Sequence, residues 1–256
     1  MKSPSLSVVI TCYNEQKNLQ NNVLDPIPLY LRSQDFSSEV IIVNDGSTDD
    51  SLKYLQAFAR KYPQIRIIDL PHGGKPSGLL GGIKAAKNDI ILFTDIDQST
   101  PISEYSALAP YFSRGYDIVI GSRGQQRQNF SLVRKLGSFV FSTARRLFIL
   151  PDIADTQCGF KAFRRPVVQS LFPKLAYFQQ SRQQSGWRVT AYDVELLFRA
   201  RKQHFRIKEV PVKWQNLDES DTKGNLSDRY RRESVQMAQE VTRVLFHNLR
   251  GHYDHP

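Results

Sequence analysis

Ile90-Ile91-Leu92-Phe93-Thr94-Asp95-Ile96-Asp97-Gln98-Ser99-Thr100-Pro101 is an apolar run that ends in two carboxylates two residues apart. Such a run suits a strand buried on both faces of a parallel sheet. On extended chain, residues i and i+2 point to the same side, so Asp95 and Asp97 can aim oxygens at one point beyond the strand's carboxyl end. Hard cations prefer oxygen donors and typically share one or two carboxylates with substrate phosphates. The pair therefore predicts a metal site for Mg²⁺ or Mn²⁺ at Asp95 and Asp97. A polar turn closing a strand is the competing explanation for Asp-x-Asp taken alone. The buried strand before the pair and the motifs around it favour the metal.

Outward from this stretch the same pattern repeats. Leu6 to Thr11 is apolar and rich in β-branched residues, and Cys12-Tyr13-Asn14-Glu15 breaks it, with a helix expected toward Tyr30. Glu39 to Asn44 is a second such run, followed by Asp45-Gly46-Ser47-Thr48-Asp49-Asp50. Ser47, Thr48 and Asp49 are good N-cap residues for a helix to about Tyr62. Ile65 to Leu70 reads as a third strand, Tyr116 to Arg123 as another, and Ile207 to Trp214 as the last. Pro211 marks that last strand as an edge, because proline cannot donate to a ladder. Alternating strands and helices predict βαβ units: an α/β, mostly parallel, Rossmann-like sheet flanked by helices.

In open α/β sheets ligands bind outside the carboxyl ends of the strands. Here those ends deliver Tyr13-Asn14-Glu15, Asp45, Asp95 with Asp97, and Arg123. The stretch His72-Gly73-Gly74-Lys75-Pro76-Ser77-Gly78, with Gly81 and Gly82 behind it, places a lysine among glycines that let backbone approach a ligand. It does not match a P-loop, and a flexible loop is its competing explanation.

Composition narrows the classes. A chain of 256 residues, 40% hydrophobic, can bury a sizeable core, and no convincing boundary divides it, so 1–256 reads as one domain. The two cysteines, Cys12 and Cys158, belong to no Cys-x-x-Cys or Cys/His cluster, which leaves neither a disulfide framework nor a zinc site. No segment approaches the ~18 consecutive apolar residues of a membrane span. The expected setting is cytoplasmic, soluble or peripherally attached at a membrane's cytoplasmic face, without a transmembrane segment.

The net charge of +10 favours anionic partners. Between Asp117 and Asp152 there is no acidic residue, while Arg123, Arg127, Arg134, Lys135, Arg145 and Arg146 fall inside that window. From about 131 to 150, Leu132, Leu136, Phe139, Val140, Thr143, Leu147 and Leu150 form one helical stripe, with Arg134, Ser138 and Arg145 opposite. Arg134 and Ser138 lie one turn apart on one face and can reach a single phosphate. An ordinary core-covering helix with solvated arginines shares this pattern. A closing helix is expected at about 228–250, with Val235, Ala238, Val241, Leu245 and Leu249 on its apolar side.

Taken together, Thr11-Cys12-Tyr13-Asn14-Glu15, Val43 to Ser51, the Gly/Lys loop, Asp95-Ile96-Asp97, Gly121-Ser122-Arg123 and Asp155-Thr156-Gln157-Cys158-Gly159-Phe160-Lys161 resemble family 2 glycosyltransferases over roughly residues 5–220. Within that family the chain is most similar to dolichyl-phosphate β-glucosyltransferases, with the mannosyltransferases as near cousins. The resemblance implies a GT-A, nucleotide-sugar-binding fold and inverting hexose transfer, with glucose from UDP-glucose favoured, to a polyprenyl or dolichyl phosphate. It places Thr11, Tyr13, Asn14, Glu15 and Asp45 at the nucleotide, Lys75 near it, and Asp95 and Asp97 at metal and diphosphate, with Asp97 catalytic. Arg123, Arg134 and Ser138 would meet the acceptor phosphate. Asp193 matches the carboxylate that acts as general base toward hydroxyl acceptors and would only position a phosphate acceptor.

Two departures stand out. Pro71-His72-Gly73-Gly74-Lys75-Pro76 replaces the usual Asn-x-Gly-Lys-Gly, and no apolar run in these residues is expected to serve as the membrane anchor usual in the eukaryotic relatives. Attachment to an anionic membrane surface would then rest on the 131–150 and tail helices. GDP-mannose as donor, or a different acceptor, is the second reading. A basic nucleic-acid-binding module is a remote one: no recognised motif supports it, and carboxylate-rich strand ends repel a phosphate backbone. A non-catalytic nucleotide-sugar sensor is disfavoured by the intact Asp95/Asp97 pair. The sequence does not specify the oligomeric state.

Overall fold

β1 (Leu6–Cys12) lies between β2 (Ser38–Asp45) and β4 (Ile90–Asp95) and runs parallel to both; β3 (Ile65–Leu70) adds to the outer side of β2 in the same sense. This computed structural model describes residues 4–124, 150–179, 192–215, 217, 239 and 242–253. β5 (Ile118–Ser122), β6 (Lys161–Arg164) and β7 (Ile207–Pro211) complete a seven-stranded sheet of order β3-β2-β1-β4-β6-β5-β7. The expected α/β, mostly parallel sheet is therefore observed. β7 is an outermost strand, with Pro211 in register with Ser122.

The apolar runs are continuous because both faces are covered. Val9, Ile41, Val43, Ile91, Phe93, Ile118 and Ile120 face one layer, built with Leu79, Ile83, Val168 and Leu196 from helices at Lys75–Ala85, Arg165–Leu171 and Tyr192–Lys202. Val8, Ile10, Val40, Ile42, Leu92 and Val119 face the other, against Leu19, Ile27, Leu55 and Leu108. Side chains alternate across the sheet with period two, so each strand feeds both layers.

Three local outcomes differ from the sequence reading. The helix expected toward Tyr30 is two short ones, Gln16–Gln20 and Pro26–Arg32, because proline starts a helix readily but cannot continue one. The glycines expected in a ligand loop are mostly helical: Lys75–Ala85 includes Gly78, Gly81 and Gly82. A Cβ at Gly78 would stand 2.8 Å from the Thr11 methyl, and one at Gly82 would overlap Val9, so these residues let the helix lie close against β1. Strand β6 was not expected. It has four residues with a cation at each end and runs antiparallel to both β4 and β5, so neither length nor periodicity marks it.

The expected helix at about 131–150 lies outside the described residues apart from Leu150, which is buried. Of the expected helix at about 228–250, residues 242–249 are described and helical. Glu195, fully buried, ties that segment in: it receives Arg199 at 3.3 Å and Arg243 at 3.1 Å, and accepts the Ala176 N–H at 3.0 Å. No helix among the described residues is long and apolar enough to cross a membrane.

Candidate active site

The register sets Thr11 opposite Asp95 and Cys12 opposite Asn44, so β1, β2 and β4 end level and their polar groups share one edge. At the β1 end Asn14, with φ of 53°, stitches the loop to the one after β2. Its N–H donates to Ser47 Oγ at 3.0 Å, its amide nitrogen to Thr48 Oγ1 at 3.2 Å, and its amide oxygen accepts the Thr48 N–H at 2.8 Å. The Glu15 N–H donates to Ser51 Oγ at 2.8 Å, and its carboxylate accepts from Asn18 Nδ2 at 2.6 Å. Both residues brace the loops that carry Tyr13.

Asp45 is buried and organises the turn before Lys75. Its two oxygens accept the Gly73 N–H at 2.9 Å and the Gly74 N–H at 2.8 Å, and His72 Nδ1 lies 2.9 Å from Oδ2 and 3.0 Å from the Asp45 carbonyl. Both neighbours of Nδ1 are acceptors, so that nitrogen carries the proton. The His72 ring stacks on Tyr13 with centroids 4.1 Å apart and planes 23° from parallel. Tyr177 closes the same turn by donating its hydroxyl to the Gly73 carbonyl. Gly74 has φ of +83°, the left-handed region that favours glycine, and the helix begins at the next residue, Lys75.

At the β4 end the strand stops at Asp95, and Asp97 is reached through a turn that Gln98 closes with φ of 51°. Gln98 donates its amide to the Asp95 carbonyl at 2.7 Å, and Asp97 Oδ1 accepts the Ser99 N–H at 2.9 Å. The two carboxylates are thus placed by a fastened turn rather than by extended chain. Asp95 Oδ1 receives Lys75 Nζ at 2.5 Å, and a Cβ at Gly159 would overlap the same carboxylate. Burial works against its charge, but Lys75, then Lys161 and Arg123, hold its carboxyl below the ordinary range. Partial desolvation likewise opposes the Lys75 ammonium, and Asp95, with Asp193, more than reverses this, so Lys75 stays charged.

Asp193 stands in the first turn of the Tyr192–Lys202 helix, its Oδ1 in an ion pair with Lys161 Nζ at 2.7 Å, and Lys161 donates its hydrogen bond to the Cys158 carbonyl. Lys161 is only 1% exposed. Arg123 is clamped by Asp155, Nε to Oδ2 at 2.7 Å and Nη2 to Oδ1 at 2.8 Å, with its guanidinium carbon 5.7 Å from the Trp214 ring centroid. Asp155 is placed in turn by Glu209, which accepts the Ala154 and Asp155 N–H groups at 2.8 and 2.7 Å. Burial pushes the Cys158 thiol up, and that of Cys12 up to about 12, so neither is an activated nucleophile.

The site therefore gathers Tyr13, Asp45, Lys75, Asp95, Asp97, Arg123 and Asp193 at one edge of the sheet, while Arg134 and Ser138 lie outside the described residues. Sequence reasoning missed His72, Lys161 and Tyr177 as parts of it. Lys161 carried a signal, a lysine inside the Asp155–Lys161 motif, but its partner is 32 residues away. Among the described residues no three His, Cys, Asp or Glu form a ready metal cage. Two hard carboxylates, Asp95 and Asp97, suit an ion that completes its shell with a ligand's phosphate oxygens.

Residues 7–172 match the family model described as Glycosyl transferase family 2. The chain is 31% identical to dolichyl-phosphate beta-glucosyltransferase ALG5C of Trichomonas vaginalis over 84% of its own length and 65% of that protein. It is 30% identical to the dolichyl-phosphate beta-glucosyltransferase of Dictyostelium discoideum over 96% of its length and 75% of that protein. The chain thus spans about two thirds of the first of these relatives and three quarters of the second. In fold it is similar to glucosyl-3-phosphoglycerate synthase of Mycobacterium tuberculosis, solved with Mn²⁺, UDP-glucose and phosphoglyceric acid: TM-score 0.62, 18% identity, 93% of this chain and 80% of that one.

Proposed function

The chain belongs to glycosyltransferase family 2, a hexosyltransferase with the GT-A fold, and from that premise we propose that it transfers glucose from UDP-glucose to a polyprenyl or dolichyl phosphate with inversion. The observation that carries this reading is the meeting of Lys75–Asp95, Lys161–Asp193 and Arg123–Asp155 beside Tyr13 and Asp97 at the carboxyl edge of the sheet. Relatives named for glucosyl transfer to dolichyl phosphate favour that acceptor and that sugar.

In this reading the Tyr13–His72 stack and the Asp45 turn form the nucleoside side of the site. Asp95 and Asp97 would hold a divalent cation, Mg²⁺ or Mn²⁺, which when bound would stabilise the negative charge left on the departing diphosphate. Lys75 supplies a second cation on that side. A phosphate acceptor is already largely ionised near neutral pH, because its second pKa is about 6. Asp193 then has no proton to abstract; clamped by Lys161, it orients the sugar and acceptor. Arg123, with Arg134 and Ser138, docks the acceptor phosphate and offsets its repulsion with the diphosphate.

Association with an anionic membrane surface belongs to the same proposal. Phe246 and Leu249 are exposed on the 242–249 helix, with the Arg250 guanidinium 3.9 Å from the Phe246 ring centroid. An apolar and basic helix side suits a lipid interface.

A turnover assay with UDP- and GDP-sugars, Mg²⁺ or Mn²⁺, and liposomes carrying a short polyprenyl phosphate tests the whole reading. The expected product is a β-linked glucosyl lipid from UDP-glucose, with the protein floating with the liposomes. Mannosyl lipid from GDP-mannose would replace the donor assignment, and nucleotide release without glycolipid would overturn the acceptor. Arg134→Ala is expected to raise the KM for the lipid phosphate about tenfold or more, the scale of one charge-assisted hydrogen bond, and to leave nucleotide affinity unchanged. Equal loss of both would remove Arg134 from the acceptor site.

A further inference from the structure

At the carboxyl end of β4 three cations are paired with carboxylates of the chain itself. Lys75 lies 2.5 Å from Asp95, Lys161 2.7 Å from Asp193 and Arg123 2.7 Å from Asp155. We propose that Lys75 is a resident counter-cation: it occupies Asp95 in the nucleotide-free protein, keeps a divalent cation from loading alone, and yields only when the ion arrives with a nucleotide diphosphate. This rests on the donor-site reading above.

One Asp95 oxygen is already committed, and the other is packed against backbone. Oδ1 holds the Lys75 ammonium, and Oδ2 faces Gly159 so closely that a Cβ there would overlap it. A divalent cation entering alone would add two positive charges beside Lys75, Lys161 and Arg123. A cation entering with a diphosphate brings the negative charge that offsets them, and gives the displaced Lys75 a new partner.

The path for that exchange is short. Lys75 is the first residue of its helix, so its backbone is fixed by packing behind it and by the Gly73 and Gly74 bonds to Asp45 in front. Its side chain is 43% exposed, and a lysine stem is flexible enough to swing from a carboxylate to a phosphate oxygen. The turn it leaves also carries His72, which stacks on Tyr13. Nucleoside binding and the release of Asp95 therefore act on one short segment.

The test measures Mn²⁺ uptake by the full chain from the loss of free-ion EPR signal, with Mn²⁺ alone, Mn²⁺ with UDP, and Mn²⁺ with GDP. Wild type is expected to bind Mn²⁺ alone at least tenfold more weakly than with one of the nucleotides. Lys75→Gln should tighten Mn²⁺ alone by about tenfold, equivalent to about 1.4 kcal/mol, and shrink the nucleotide's effect; Lys75→Arg should behave as wild type. Thermal melts confirm that each variant is folded. Lys75→Gln binding Mn²⁺ alone no tighter than wild type overturns the proposal, and if Asp95→Asn still abolishes the nucleotide-dependent uptake, the donor-site reading survives that failure. Neither nucleotide bringing Mn²⁺ to wild type would overturn both.

Discussion

Asp97→Ala is expected to lower the transfer rate by on the order of a thousand-fold, about 4 kcal/mol of transition-state stabilisation, with little change in stability. The carboxylate sits in the turn after β4, where its Oδ1 accepts the Ser99 N–H at 2.9 Å. Ser99 has other anchors, its carbonyl accepting Gln215 N–H at 2.8 Å and its hydroxyl Leu217 N–H at 3.2 Å. Losing the Ser99 hydrogen bond costs about 1 kcal/mol, so that bond's share of the urea midpoint is small. Turnover with the best donor, and nucleotide affinity with and without Mn²⁺, separate the outcomes. The metal-dependent part of that affinity should vanish; a variant that turns over at the parent rate would remove Asp97 from the site.

Lys161→Met carries the largest expected effect on stability, about 3 kcal/mol. Lys161 is buried on β6, opposite Phe93 and Ile120, with its ammonium on Asp193 and the Cys158 carbonyl. Breaking a buried pair typically costs about 3–5 kcal/mol because one charge is left behind. Asp193 keeps 15% of its side chain exposed, which places the cost at the low end. Replacing both members with apolar residues is often neutral or better, so Lys161→Met with Asp193→Leu should recover most of the urea midpoint. It should not recover turnover, because the positioned carboxylate is gone. A double variant as unstable as the single would mean that Lys161 acts through packing around β6 instead.

The strands that the sequence revealed are β1, β2, β4 and β5, largely buried on both faces and long enough to read as apolar runs, and β3, an outer strand marked by its isoleucines although Arg66 and Asp69 are exposed. β7 was legible as a strand from Ile207, with Pro211 marking it as an edge, though it ends at Pro211 and not at Trp214. β6 was not, since four residues with Lys161 and Arg164 at their ends carry no period, and only the space between β4 and β5 makes them a strand. The helix at Lys75 was hidden by its glycines, which signal a loop in isolation. Their reason is tertiary: Val9 and Thr11 leave no room for a side chain where the helix crosses β1.

The same division runs through the candidate site. By itself the sequence determined the α/β pattern and the carboxyl-end placement of Tyr13, Asp45, Asp95, Asp97 and Arg123, because those follow from neighbours along the chain. Only the tertiary structure decided what each charge meets. Lys161 finds Asp193, Arg123 finds Asp155, and His72 finds Tyr13 across the sheet's edge. Coulomb energy and hydrogen bonding act over a few ångströms of space, whatever the distance along the chain. Pairing is therefore a property of the closed sheet, which brings together residues that local sequence leaves far apart.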